Sequence, residues 1–132
     1  MEITVKQEQA RKVVTILHVK GEINSTTHQQ FEDKAREVYE AGARNILVDL
    51  AEVSYLSSAG IRALNQMLIM LRTDAPEESD AAMSQAVRSG TWVSPHLKVV
   101  NASSSVKEVL KIAGMDMLID VYDDMKKAVE AF

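Results

Sequence analysis

Apolar and polar residues alternate through ITVKQEQ (3–9), the period of a strand with one face in solvent. VVTILHV (13–19) is richer in β-branched residues and reads as a more buried strand, ended by Gly21. In the following INSTTHQQF, Thr27 and Gln30 have the spacing of a capping box. Phe31, Ala35, Val38 and Tyr39 then recur at helical intervals up to Gly42, a natural stop. NILVDL (45–50) is a continuous apolar run typical of a strand covered on both faces. Ile61, Leu64, Leu68 and Leu71 mark the next helical face, and Met67, Ile69 and Met70 broaden it. LKVV (97–100) reads as a further strand. Ser105 and Glu108 make a second capping box before Val109, Leu110, Ala113 and Gly114. A short strand over 118–122 and an amphipathic helix over 123–132 complete the pattern.

The order is β-β-α-β-α-β-α-β-α, an α/β arrangement whose alternation predicts substantial parallel pairing with helices packed on the sheet. One stretch departs from it. Residues 74–96 hold both prolines and the one tryptophan, Trp92, without a long-range period. The reading is a surface excursion with a helical turn or two over 81–87, rather than an arm anchored by Trp92, because loop insertions are well tolerated.

Composition narrows the function classes. The chain has 132 residues, the size of one domain that buries enough surface to be stable without covalent staples. It has no cysteine, which removes disulfides, thiolate metal sites and cysteine nucleophiles. Fifteen basic and 19 acidic residues give a net charge of −4 with no basic cluster, so neither nucleic acid nor anionic lipid is the expected partner. Residues 1–20 carry charges throughout, and no apolar run approaches the length that spans a bilayer. The expectation is a soluble, cytoplasmic protein, without membrane insertion, that is a monomer or a weak homodimer.

The candidate chemistry lies in YLSSAGIR (55–62), where two serines stand between an apolar run and a helix. A serine nucleophile needs a base and an oxyanion site. The G-x-S-x-G elbow is absent, and His18, His28 and His96 are poorly placed to serve. Hydrolysis is therefore a remote reading. No metal or nucleotide motif is present, and the aspartates at 116, 120, 123 and 124 read as solvated positions and a helix cap. Ser57 or Ser58 is suited to cap the helix that starts near Ala59. Capping accounts for one serine. It leaves the small neighbours Ala59 and Gly60 unexplained, and a helix N-terminus stripped of bulk is receptive to an anion, including a phosphate placed on the serine itself.

These residues carry a family resemblance. VDLAEVSYLSSAGIRAL resembles the signature of STAS domains, in particular the bacterial anti-sigma factor antagonists. VVTILHVKGEINSTT is similar to that family's second strand and the segment after it, and LKVVNASSSVKEVLKIAGMDMLIDVYDDMKKAV to its ending. The resemblance implies a single domain over 1–132. Its mixed sheet would have four to five strands packed with about four helices, with an atypical insertion at about 74–96. Ser58 falls on the family's phosphoacceptor, Ala59 on its second Ser or Thr, and Gly60 on its glycine. Ser57 and Asn24 stand where aspartates are common, so acid is missing from the site. The implied function is partner switching. The unphosphorylated chain would bind an anti-sigma factor that is also a serine kinase, releasing a sigma factor. Phosphorylation of Ser58 would end the contact, and a serine phosphatase would reset it. ATP and Mg²⁺ belong to the kinase, and this chain has neither a cofactor nor a catalytic residue. The contact surface would gather Glu22, Asn24, Ser25, Ser57, Ser58, Ala59, Gly60, Arg62 and Asn101. The runner-up is a small STAS subunit of a lipid-transport ABC assembly.

Overall fold

The computed structural model describes residues 1–73 and 93–132, so most of the 74–96 excursion, with the turn expected over 81–87 and Trp92, lies outside the described residues. Strands β1 (Glu2–Gln9), β2 (Val13–Ile23), β3 (Ile46–Leu56), β4 (Leu97–Val100) and β5 (Asp120–Tyr122) form one sheet in sequential order. Only β1 and β2 pair antiparallel; the remaining neighbours are parallel, which makes the sheet mixed. Four helices are described: α1 (His28–Glu40), α2 (Ser58–Thr73), α3 (Ser104–Ile112) and α4 (Met125–Glu130). A 3-10 turn at Met115–Met117 precedes β5, which is accordingly shorter than the 118–122 run suggests.

The larger core lies on one face of the sheet, where Phe31, Ala35, Leu64, Met67, Leu71, Val106 and Leu110 of α1, α2 and α3 meet Leu17, Val48 and Leu50. The opposite face is covered by α4, with Ala128, Val129 and Phe132 against Val14, Ile16, Leu47 and Val100. The first five residues of β3 are buried on both sides for this reason. Beyond them β3 runs on to Leu56, further than its apolar run predicts, paired only with β2. There only Val53 and Leu56 are buried, because a single face is covered.

Several local signals resolve differently from their sequence reading. Gly21 does not end β2. It sits inside the strand at φ 118, beside the register shifts that bend β2 along the extension of β3. The Thr27–Gln30 box does not form: the Thr27 hydroxyl accepts from the Asn24 N–H (2.9 Å) and donates to the Glu22 carbonyl (2.7 Å), while Gln30 donates to the Met1 carbonyl. The Ser105–Glu108 box is also replaced. Ser103 caps α3 by accepting from the Val106 N–H, and Glu108 is exposed. Ile69 is exposed rather than part of the α2 core face, since it follows Leu68 around the helix to the solvent side.

The start of α2 is held close to the sheet by Gly60. A Cβ at that position would lie 2.4 Å from Leu56 Cδ1, 2.9 Å from Ile23 Cγ2 and 3.2 Å from the Ile23 carbonyl oxygen. Ile23 and Leu56 are both fully buried and have nowhere to retreat. Gly60→Ala should therefore destabilise the protein by about 1–2 kcal/mol in urea titration, the cost of overpacking exceeding the roughly 1 kcal/mol gain in helix propensity. A midpoint that is unchanged or raised would contradict the close approach.

Candidate functional site

β2 and β3 end side by side, and the chain leaves each of them into the N-terminus of a helix. The Ser57 N–H donates to the Ile23 carbonyl (2.9 Å), joining the two exits. Ser57 is the residue before α2, and its carbonyl accepts from the Ile61 N–H (3.0 Å) while its hydroxyl accepts from the Ala59 N–H (3.2 Å). The cap is thus Ser57. Ser58 is the first helical residue, exposed, with no cap to make. Among the described residues neither the Ser58 nor the Gly60 N–H has a protein acceptor, so the terminus keeps the partial positive character of an open helix start.

The other half of the site is the loop between β2 and α1. Asn24 organises it: its side-chain oxygen accepts from the Thr26 N–H (2.9 Å), the Thr26 hydroxyl (2.7 Å) and the Thr27 N–H (3.2 Å). Its amide nitrogen donates to Glu22 (3.2 Å). An amide supplies both a donor and an acceptor here, which an aspartate could not do. Ser25 is left exposed at the loop tip.

Between α1 and α2 runs a groove of about 380 Å³ whose lining includes Ser25, His28, Arg36, Ala59, Arg62 and Gln66. It joins a smaller, more apolar depression of about 160 Å³ further along the same two helices, floored by Ala35, Ala63 and Met67. The guanidinium groups of Arg36 and Arg62 make no ion pair among the described residues, whereas Glu32 is engaged by His28 (3.0 Å). Of the residues expected at the site, Ser25, Ala59 and Arg62 line this groove, while Glu22 and Asn24 belong to the adjoining loop and Ser57, Ser58 and Gly60 to the start of α2. His28 and Arg36 line the groove as well. Sequence reading missed both, although His28, Glu32 and Arg36 follow each other at i, i+4 and i+8, beside the buried stripe of Phe31, Ala35 and Val38.

Asn101 is not brought to this groove. It turns the chain after β4 at φ 62, and its amide donates to Asp49 (3.4 Å). Asp49 and Ser57 are separated by the run of β3, about 26 Å at strand rise. Asn101 belongs to a second polar cluster, on the α4 side of the sheet. There Asp49 is buried and takes the His18 Nδ1 at 2.8 Å, and Glu52 takes Nε2 at 2.6 Å. The hydrogen bond to Glu52 first, then that to Asp49, raises the His18 pKa above the ordinary 6.5, against the opposing pull of burial. His18 thus ties β2 to β3 through both of its ring nitrogens.

Against known proteins, the STAS domain family profile matches residues 5–75, more than half of the chain. The chain belongs to the STAS domain family. No curated protein sequence matches it. Its fold is similar to an anti-sigma factor antagonist from Mycobacterium paratuberculosis (TM-score 0.69, 20% identity, covering 98% of this chain and 93% of that one). It is also similar to a candidate anti-sigma factor antagonist from Thermotoga maritima (0.70, 18% identity, 96% and 92%). A third likeness is to the anti-sigma factor antagonist SpoIIAA in its unphosphorylated form (0.66, 14% identity, 96% and 94%). At these identities the likeness is one of fold. No helix among the described residues is long and apolar enough to cross a membrane.

Two outcomes follow from the geometry. Ser57→Ala should lower stability by about 1 kcal/mol in chemical denaturation while Ser58→Ala leaves it unchanged, and equal effects would contradict the assignment of the cap. The raised His18 pKa contributes stability that is complete below the unfolded value of 6.5 and is lost as pH rises through the higher folded value. The melting temperature should therefore fall as pH rises above 6.5, and His18→Gln should flatten that fall. The same fall in His18→Gln would show that the clamp does not titrate as described.

Proposed function

We infer that this protein is a cytoplasmic anti-sigma factor antagonist that works by partner switching, with Ser58 as the phosphoacceptor. The observation that carries the reading is the position of Ser58 in a STAS domain. It is exposed at the first position of α2, relieved of capping by Ser57, and flanked by small residues at the mouth of a groove. In the unphosphorylated state this surface carries Arg62, which makes no ion pair among the described residues. It suits a partner that brings its own polar groups and a serine-kinase active site to the hydroxyl.

Phosphate on Ser58 adds about two negative charges at the positive end of α2, which the helix dipole tolerates. Arg62 stands four residues on, on the same helical face, within reach of that phosphate. The modification would thus occupy the cation that the partner needs. It would also place a strongly hydrated dianion at the centre of the contact, where desolvation opposes binding. The fold would stay as it is and the surface would change sign. Release of the kinase frees it to hold its sigma factor, and a serine phosphatase restores the first state. SpoIIAA, similar in fold, is known in an unphosphorylated and a phosphorylated form, which supports the reading by analogy. In this scheme the chain is a substrate and a binding module, and ATP and Mg²⁺ are handled by the kinase.

The test is intact-protein mass spectrometry after incubation with ATP, Mg²⁺ and candidate serine kinases of the histidine-kinase-like ATPase type. Wild type should gain roughly 80 Da and Ser58→Ala should not. If neither gains mass while the kinases are demonstrably active, the switch falls and Ser58 is left without a modification.

A further inference from the structure

The sheet ends on an open strand. Among the described residues β1 has β2 on one side and no strand on the other, and it pairs with β2 from Glu2 to Gln9 without a bulge or shift. It holds no proline. The other free edges among the described residues are β5, only three residues long, and the end of β3 beyond Asp49, so β1, at eight residues, is the longest of them. Proteins that keep such an edge solitary blunt it with bulges, prolines or uncompensated charge. β1 lacks the first two, and its charges are arranged to match themselves.

We propose that β1 is a homodimer interface, in which two copies pair antiparallel about a two-fold axis at Thr4 and join their sheets into one. A two-fold perpendicular to the sheet opposes residues of the same face. With Thr4 on the axis, Glu2 meets the second copy's Lys6, Lys6 meets its Glu2, and Ile3 meets its Val5. Every charged position from 2 to 6 then faces its opposite, and the apolar pair falls on the helix-covered face. The neighbouring registers fail this test. An axis at Val5 sets Glu2 against Glu8, and one at Lys6 sets that lysine against itself. An axis at Gln7 matches Lys6 with Glu8 but opposes Val5 to Gln9 and leaves Ile3 unpaired.

The same edge exposes apolar surface. Val5 is 40% exposed, beside a cavity of about 400 Å³ between β1, the start of β2 and the end of α1. Pairing at Thr4 brings a second isoleucine alongside Val5. Because the strands run antiparallel, the two Ser58 sites point from opposite ends of the joined sheet, so dimerisation leaves both open. The interface therefore stands or falls independently of the switch.

The absence of native cysteine makes the geometry directly readable. In the full-length chain, Thr4→Cys should form a disulfide-linked dimer on mild oxidation much faster than Gln9→Cys, since facing Cβ atoms lie about 5 Å apart at the axis. In sedimentation equilibrium up to about 1 mM the wild type should show a monomer–dimer equilibrium. Lys6→Glu should weaken it about tenfold, and Glu2→Lys combined with Lys6→Glu should restore it. All these side chains are solvent-facing, and circular dichroism checks that each variant is folded. A wild type that is monomeric throughout overturns the proposal. So does a double variant no tighter than Lys6→Glu, or equal cross-linking at positions 4 and 9.

Discussion

The organisation of the site rests on a missing side chain. Because Gly60 has no Cβ, the first turn of α2 can lie directly on Ile23 and Leu56, the last residues of the two longest strands. That contact aligns the exits of β2 and β3, and the hydrogen bond from Ser57 to Ile23 locks them together. From it follow the direction of α2, the exposure of Ser58 and the proximity of the Asn24 loop. A larger residue at 60 would lift the helix start and pull the two halves of the site apart.

The fold keeps two kinds of polar chemistry on opposite sides of the same strands. On the α4 side, His18, Asp49, Glu52 and Asn101 bond to one another. At the strand ends, donors are left open among the described residues: the Ser58 and Gly60 amides, the Ser58 hydroxyl and the guanidinium groups of Arg36 and Arg62. Closed networks rigidify and open ones bind. An apolar core that includes Leu17, Val48 and Leu50 backs the strands.

Much of this could be read from the chain, where a single physical cause dominates. The continuous runs at 46–50 and 97–100 admit only covered strands, and the i, i+3, i+4 spacing of Leu64, Met67, Leu68 and Leu71 admits only a buried helix face. What escaped depends on partners distant in sequence. Nothing local places His18 opposite Asp49, a pairing fixed by the register of β2 and β3. Nothing local tells that Thr27 turns its hydroxyl back to Asn24 and Glu22 instead of capping α1. Serine-rich stretches such as 103–105 offer several equivalent caps, and packing of Val106 and Leu110 decides among them. The groove between α1 and α2 was hidden for a similar reason. Its walls come from two helices whose polar stripes are each unremarkable alone, whereas the Ser58 end carried a compact local signature.

The central claim is that α2 carries a phosphate on Ser58 with its fold intact. The most direct measurement is thermal unfolding of the chain with phosphoserine placed at position 58 by genetic encoding, beside the unmodified chain. The account predicts an equal melting temperature or one raised by a few degrees, as the helix dipole and Arg62 receive the charge. A fall of about 5 °C or more, roughly 1 kcal/mol for a domain of this size, would mean that the helix start cannot bear the charge and would contradict the account.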